Sequence, residues 1–250
     1  MDPNQQQHVI YFASDFHLGV PSLEDSRKRE KRLVNWLSMA AEDATEIFLV
    51  GDLFDFWFEY KFTIPKGFVR FLGKIAEIVE SGITVYIFTG NHDMWMFDYL
   101  EKEIGVKILR SPQEFVYNEK QFFVGHGDGL GPGDYSYKLI KKIFSNPLCQ
   151  WLFERVHPNL SFKIANYWSR KSREKDSQPT SFLQQKEWLV QYAKQLLKKK
   201  HYDFFIFGHR HLPVEYQISE KSKYINLGDW IKHNSYAKFE GGKIQLLEFN

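Results

Sequence analysis

The stretch ITVYIFTGNHDMW, Ile83 to Trp95, decides how the rest of the chain is read. Its first seven residues are β-branched, aromatic or apolar, the length and composition of a buried strand. A glycine ends the run, and Asn91, His92 and Asp93 then crowd an amide, an imidazole and a carboxylate onto one turn. Just upstream, KGFVRFLGKIAEIVESG (66–82) has apolar residues at helical spacing and closes on Gly82, where a helix C-cap is expected. Helix, glycine, strand, glycine and polar turn is the grammar of a βαβ unit. Working outward, VIYFAS (9–14) and EIFLV (46–50) are further buried runs, joined by the amphipathic SRKREKRLVNWLSMAAED (26–43), and QFFVG (121–125) and DFFIFG (203–208) also read as strands. Downstream, PVEYQI, KYINLG, SYAKFE and KIQLLEF read as antiparallel additions, with an EGG hairpin turn at 240–242. Residues 134–200 lack this alternation and read as helices rich in Lys, Tyr, Trp and Phe. The expectation is an α/β chain, residues 1–250 forming one domain, with a helical insertion within 134–200.

Every central strand ends on polar residues. Asp15 and His17 follow the first, Asp52 the second, Asn91, His92 and Asp93 the third, His126 and Asp128 the QFFVG run, and His209 and His211 the DFFIFG run. Open α/β sheets bind ligands at the carboxyl ends of their strands, so residues distant in sequence should converge in one crevice. Carboxylates, imidazoles and an amide without cysteine suit a divalent cation such as Mn²⁺, Fe²⁺ or Zn²⁺. The number of donors favours two cations over one, because a carboxylate such as Asp52 can bridge ions about 3.5–4 Å apart. Taken singly each residue has a local alternative: Asp52 can cap a turn, and Asn91 can hold a left-handed one. Five strand ends carrying metal-competent side chains together are not what capping produces.

The 250 residues suffice for one sizeable core. Cys149 is the single cysteine, so no intrachain disulfide can form, and no charged start leads into an apolar leader. No apolar run approaches the roughly 20 residues that span a bilayer. A cytoplasmic protein is expected, with any membrane contact peripheral, on the cytoplasmic face of the inner membrane. The net charge of +2 is unevenly spread: 14 of the 33 Lys and Arg but only five of the 31 Asp and Glu lie between Asp134 and Lys200, which gives that segment +9 and the remainder −7.

SDFH (14–17), GD (51–52), GNHD (90–93), GHGD (125–128) and GHRH (208–211), in this order, resemble the signature of the calcineurin-like metallophosphoesterases. The resemblance implies a four-layer α/β/β/α sandwich and a dinuclear centre. It puts Asp15, His17, Asp52 and His211 around one metal, and Asp52, Asn91, His126 and His209 around the other. His92 would stay free of the metals and reach the phosphoryl or leaving oxygen as a protonated imidazole, oriented by Asp93. The chemistry implied is in-line attack of an activated water on phosphorus.

A narrower resemblance runs through SDFHLG, GDLFDFWFEY, HGDGLGPGDYSYK and GHRHLP to the UDP-2,3-diacylglucosamine hydrolases of lipid A biosynthesis. That group places a helical lid over the site and cleaves the pyrophosphate of its nucleotide-sugar lipid, typically with Mn²⁺, to give UMP and 2,3-diacylglucosamine 1-phosphate. It implies an apolar pocket from NPLCQWLFERV (146–156) and LSFKIANYW (160–168), and substrate contacts from Asn91, His92, Asp134, Lys138, Arg170, Ser172 and Arg173. No nucleic acid and no obligate protein partner are expected. Two departures stand out: the enterobacterial hydrolases carry Arg where His92 stands, and GHTHRP where this chain has GHRHLP. These leave open another metallophosphoesterase acting on nucleotides or phosphodiesters. A non-catalytic scaffold of the same fold is disfavoured, because none of the eight expected positions (the seven ligands and His92) is missing.

Overall fold

The structure, a computed structural model, describes residues 8–133, 135–175 and 181–250, with backbone alone for 136, 166 and 170–175. Among the described residues two sheets form. In the first, β1 (Ile10–Ala13), β2 (Glu46–Val50), β3 (Thr84–Phe88) and β4 (Lys107–Leu109) run parallel. The antiparallel pair β10 (Ser235–Glu240) and β11 (Lys243–Glu248) extends the β1 edge, turning at Gly241-Gly242. The second sheet has the order β5 (Gln113–Tyr117), β6 (Lys120–Gly125), β7 (Phe204–Phe207), β9 (Ser222–Leu227), β8 (Pro213–Ser219). Its three middle strands, β6, β7 and β9, are parallel. The KYINLG segment is therefore a parallel neighbour of β7, whereas β8, β10 and β11 are the antiparallel additions expected from sequence.

The apolar runs are continuous because both faces of each strand are buried. Along β1, Ile10 and Phe12 face the other sheet while Tyr11 and Ala13 face helices, and along β7 Phe204 and Ile206 alternate likewise with Phe205 and Phe207. Phe48 sits at the middle of the inter-sheet layer, stacked on Phe12 at 5.0 Å and Tyr86 at 4.6 Å. Truncating such a side chain in a packed core costs about 3–5 kcal/mol. Outside the first sheet lie α1 (Leu23–Ala40), α2 (Val69–Glu80) and α3 (Tyr99–Ile104), which bury Trp36, Leu37, Phe71, Ile75 and Leu100. Outside the second lies α7 (Trp188–Leu197), through Leu189, Val190 and Ala193. The order helix, sheet, sheet, helix is the four-layer sandwich. At the end of α2, Gly82 donates to the Val79 carbonyl and Ile83 to that of Ile78, the bond pair of a Schellman cap.

The helical segment consists of α4 (Tyr135–Phe144), α5 (Pro147–Glu154) and α6 (Pro158–Lys175). It is fastened by aromatic contacts, with Phe153 and Phe162 packing on Phe56, Phe58 and Trp95, and by Trp95 Nε1 donating to the Phe144 carbonyl at 2.9 Å. No helix among the described residues is long and apolar enough to cross a membrane.

Candidate metal centre

Parallel register brings the strand ends level. Val50 pairs with Phe88, Ala13 with Leu49, and Phe207 with both Gly125 and Asn226, so the loops that come next leave the same edge of the sandwich. Pairing continues beyond β1 and β2: Asp15 N–H donates to the Gly51 carbonyl, His17 to Asp52 and Leu18 to Leu53. Asp15, His17, Asp52, His209 and His211 all hold left-handed backbone, with φ of 57°, 44°, 54°, 68° and 52°. Non-glycine residues stay there only where their surroundings hold them, a feature that gathers at functional sites. Gly90 belongs to the same design. A Cβ on it would sit 2.2 Å from Asp52 Oδ1, so the turn before Asn91 can lie against that carboxylate only as glycine.

Two overlapping donor sets result from the expected ligands, and a third group joins His17 to Asp55 and His92. Asp15, His17, Asp52 and His211 offer atoms that all lie within 4.8 Å of one another, as do Asp52, His126 and His209. Asn91 joins the second set, its Oδ1 3.3 Å from His126 Nε2. The seven expected ligands are thus brought together, and Asp52 belongs to both sets. The donors fit cations. The Nε2 atom of His211 lies 3.1 Å from both the buried Asp15 Oδ1 and the His17 Nε2, so three potential ligand atoms crowd one point. His126 Nδ1 lies 2.9 Å from the Val50 carbonyl, which can only accept, so Nδ1 donates there and Nε2 is the ring atom turned to the basin.

The electrostatics agree. Burial opposes the charged forms, but the neighbouring imidazoles hold Asp15 and Asp52 well below the carboxylate range. Burial likewise opposes a proton on His17, yet Asp15, Asp55 and Asp52 overcome it and push that imidazole up to about 10. His209 goes the other way, to about 4, through burial and the charge of His126.

His92 and Asp93 differ from expectation. Asp93 does not touch His92: its carboxylate accepts from the N–H groups of Gly90 and Leu53, each at 2.7 Å, and so clamps the third strand-end loop to the second. Nor does it cap a helix. Adjacent residues on a tight turn point in different directions, and Asp93 points back into the protein. His92 is instead oriented by Asp55, donating from Nδ1 to its carbonyl at 3.0 Å. Burial holds His92 below its usual value against the pull of Asp52, so the free site favours the neutral ring rather than the protonated one. An approaching phosphoryl anion acts in the opposite sense.

Several contributors escape sequence reading. Asp55 lies beneath both His17 and His92, with Oδ1 3.6 and 3.7 Å from their Nδ1 atoms. Ser169 on α6 donates to Asp55 Oδ2 at 2.8 Å and lies 3.4 Å from His92 Nδ1, joining the helical segment to the basin. Asp229, after β9, stands 3.9 Å behind His211. Asp128, which the sequence does place at a strand end, accepts from Tyr137 at 2.5 Å and Lys141 at 2.6 Å, which anchors α4. Among the expected substrate residues, Lys138 donates to the Gly131 carbonyl at 2.6 Å and lies over the Tyr135 ring. Asp134 falls outside the described residues, as do the side chains of Arg170, Ser172 and Arg173.

A family model for the calcineurin-like phosphoesterases matches residues 8–213. The chain is 38% identical over 251 residues to a UDP-2,3-diacylglucosamine hydrolase of Porphyromonas gingivalis, covering 95% of this chain and 96% of that one. Proteins of the same name from Actinobacillus succinogenes and Vibrio atlanticus are 26% and 27% identical, over 89% and 94% of this chain and 92% and 95% of theirs. With the family match spanning most of its length, the chain belongs to the calcineurin-like phosphoesterases.

Proposed function

We propose that this chain is a metal-dependent hydrolase that cleaves the pyrophosphate of UDP-2,3-diacylglucosamine, releasing UMP and 2,3-diacylglucosamine 1-phosphate. The observation that carries the chemistry is the pair of donor sets sharing Asp52; the relatives' common name supports the substrate. Asp15, His17, Asp52 and His211 would hold one ion, and Asp52, Asn91, His126 and His209 the other, with Mn²⁺ the metal proposed and Fe²⁺ or Zn²⁺ the alternatives. When bound, two such cations supply charge to balance the phosphoryl oxygens and acidity to activate an attacking water. The chain's own residues do the rest. Gly90 and Asp93 hold the Asn91–His92 turn against Asp52, while the Asp55 carbonyl fixes the Nδ1 proton of His92 and leaves Nε2 for a substrate oxygen. The neutral ring becomes a proton donor to the leaving UMP or sugar phosphate once the anion draws it upward.

Within 134–200 we assign the lid to α4–α6, since α7 packs on the second sheet. Phe56, Phe153, Phe162 and Trp95 offer an apolar ceiling for acyl chains, and the exposed Leu148, Trp151 and Leu152 a peripheral contact with the inner membrane. Asn91, His92, Asp134, Arg170, Ser172 and Arg173 are proposed for the nucleotide and glucosamine; Lys138, already held at Gly131, would have to exchange that partner. The test is chromatographic detection of UMP after incubating the purified protein with UDP-2,3-diacylglucosamine and Mn²⁺. UMP release is expected. Hydrolysis of bis-p-nitrophenyl phosphate without any release of UMP would instead favour a different phosphodiester substrate.

A further inference from the structure

His209 and His211 flank Arg210 on a loop whose backbone is left-handed at both histidines, φ 68° and 52°. Left-handed backbone is strained at a non-glycine residue, so the loop needs anchors. Its leading end has them: Gly208 N–H donates to the His126 carbonyl at 3.0 Å, Asn226 Nδ2 to the Gly208 carbonyl at 2.5 Å, and His209 N–H to Asp15 Oδ2 at 2.9 Å. Between the two imidazoles, the Arg210 side chain turns into the protein and meets α7. Its Nε donates to Glu187 Oε1 at 2.8 Å and its Nη2 to Oε2 at 3.3 Å, a fork on a carboxylate with both side chains at most 3% exposed. The Trp188 ring lies 4.8 Å from the guanidinium and meets the His209 ring edge-on at 6.4 Å. One aromatic side chain thus touches both the anchor and a ligand.

We propose that Arg210 is a positioning residue for both cation sites: paired with Glu187 and packed on Trp188, it holds His209 and His211 in their ligating directions. The inference rests on the metal-centre assignment. A buried ion pair is weak grounds for net stability, because desolvation offsets its attraction. Its consequence here is directional, since the guanidinium fork admits one orientation and the loop it fixes supplies a donor to each set.

The test is calorimetric titration of metal-free protein with Mn²⁺, alongside melting temperatures with and without Mn²⁺. The variants are Arg210→Lys, which keeps the charge but loses the fork, Glu187→Gln, and the double change Arg210→Met with Glu187→Met. Outer-shell partners of ligating histidines typically contribute 10–100-fold to metal affinity, so each variant should raise the Mn²⁺ Kd about tenfold or more and shrink the stabilisation by Mn²⁺. The double variant, with no unpaired buried charge, should keep the metal-free melting temperature while the affinity stays weak. A Kd within two- to threefold of wild type in folded variants would reduce the pair to packing and overturn the proposal. Wild-type protein that takes up no Mn²⁺ is a distinct result, which overturns the metal-centre assignment and this inference with it.

Discussion

In the cation basin most side chains are buried and cross-linked; on α4–α6 many large apolar side chains are half exposed or more. Asp15, His17, Asp52 and His126 are at most 3% exposed, and their loops are cross-linked by backbone bonds and the Asp93 clamp. Leu148, Trp151 and Trp168 are 63%, 50% and 54% exposed. Among the described residues the polar contacts joining the two regions include Ser169 to Asp55, Tyr137 and Lys141 to Asp128, and Trp95 to the Phe144 carbonyl. The difference separates two tasks. A rigid basin suits chemistry whose donors must not move, whereas an exposed apolar cover suits a choice of substrate.

The basin should fail as a unit. Asp52→Ala removes the carboxylate common to both donor sets, so calorimetry should find both cation sites weakened by more than the ~100-fold typical of an outer-shell change, with hydrolysis of any phosphodiester lost. Retention of one site at wild-type affinity would show that the two sets do not depend on a shared ligand. His92→Ala comes next. It should retain both cations by metal analysis and lose turnover about 10²–10⁴-fold, the range for a group that transfers a proton. Loss of metal in that variant would make His92 a ligand and redraw the boundary of the basin.

Much of the basin was legible in sequence because central parallel strands are buried on both faces: EIFLV has the bounds of β2, and the polar residues after each such run sit at the strand's carboxyl end. Less prominent elements were not. β4 has three residues and β5, QEFVY, is an edge strand with alternating exposure, so neither makes an apolar run. Asp55 reads as a turn residue in GDLFDFW until the loops after β1 and β2 are seen side by side. Ser169 is one serine in a polar helix, and its place depends wholly on how α6 docks. Adjacency to His92 misled for Asp93, whose partners lie 40 residues upstream at Leu53 and just behind it at Gly90.

The cover should answer to the lipid alone. Changing Leu148 and Trp151 together to serine removes exposed apolar surface, so unfolding free energy should move by no more than about 0.5 kcal/mol. Burying part of such side chains against acyl chains or a bilayer contributes about 1–2 kcal/mol, so KM for the diacyl substrate should rise roughly five- to thirtyfold. The rate on a water-soluble phosphodiester should not change. An equal fall on both substrates would make α5 part of the basin's framework.

Ser169→Ala gives the smallest expected effect and tests the seam directly. The hydroxyl donates to Asp55 Oδ2 and lies within 3.4 Å of His92 Nδ1, so its loss removes one donor from the carboxylate beneath two basin histidines. A hydrogen bond of this kind contributes about 0.5–1.5 kcal/mol, which predicts a two- to twelvefold fall in kcat with metal content unchanged. On the proposed mechanism Asp55 and His92 serve the reacting phosphoryl group whatever it is attached to, so the fall should be the same for the diacyl substrate and the soluble diester. If only the lipid substrate suffers, Ser169 belongs with the cover, and the two regions communicate through the substrate rather than through Asp55.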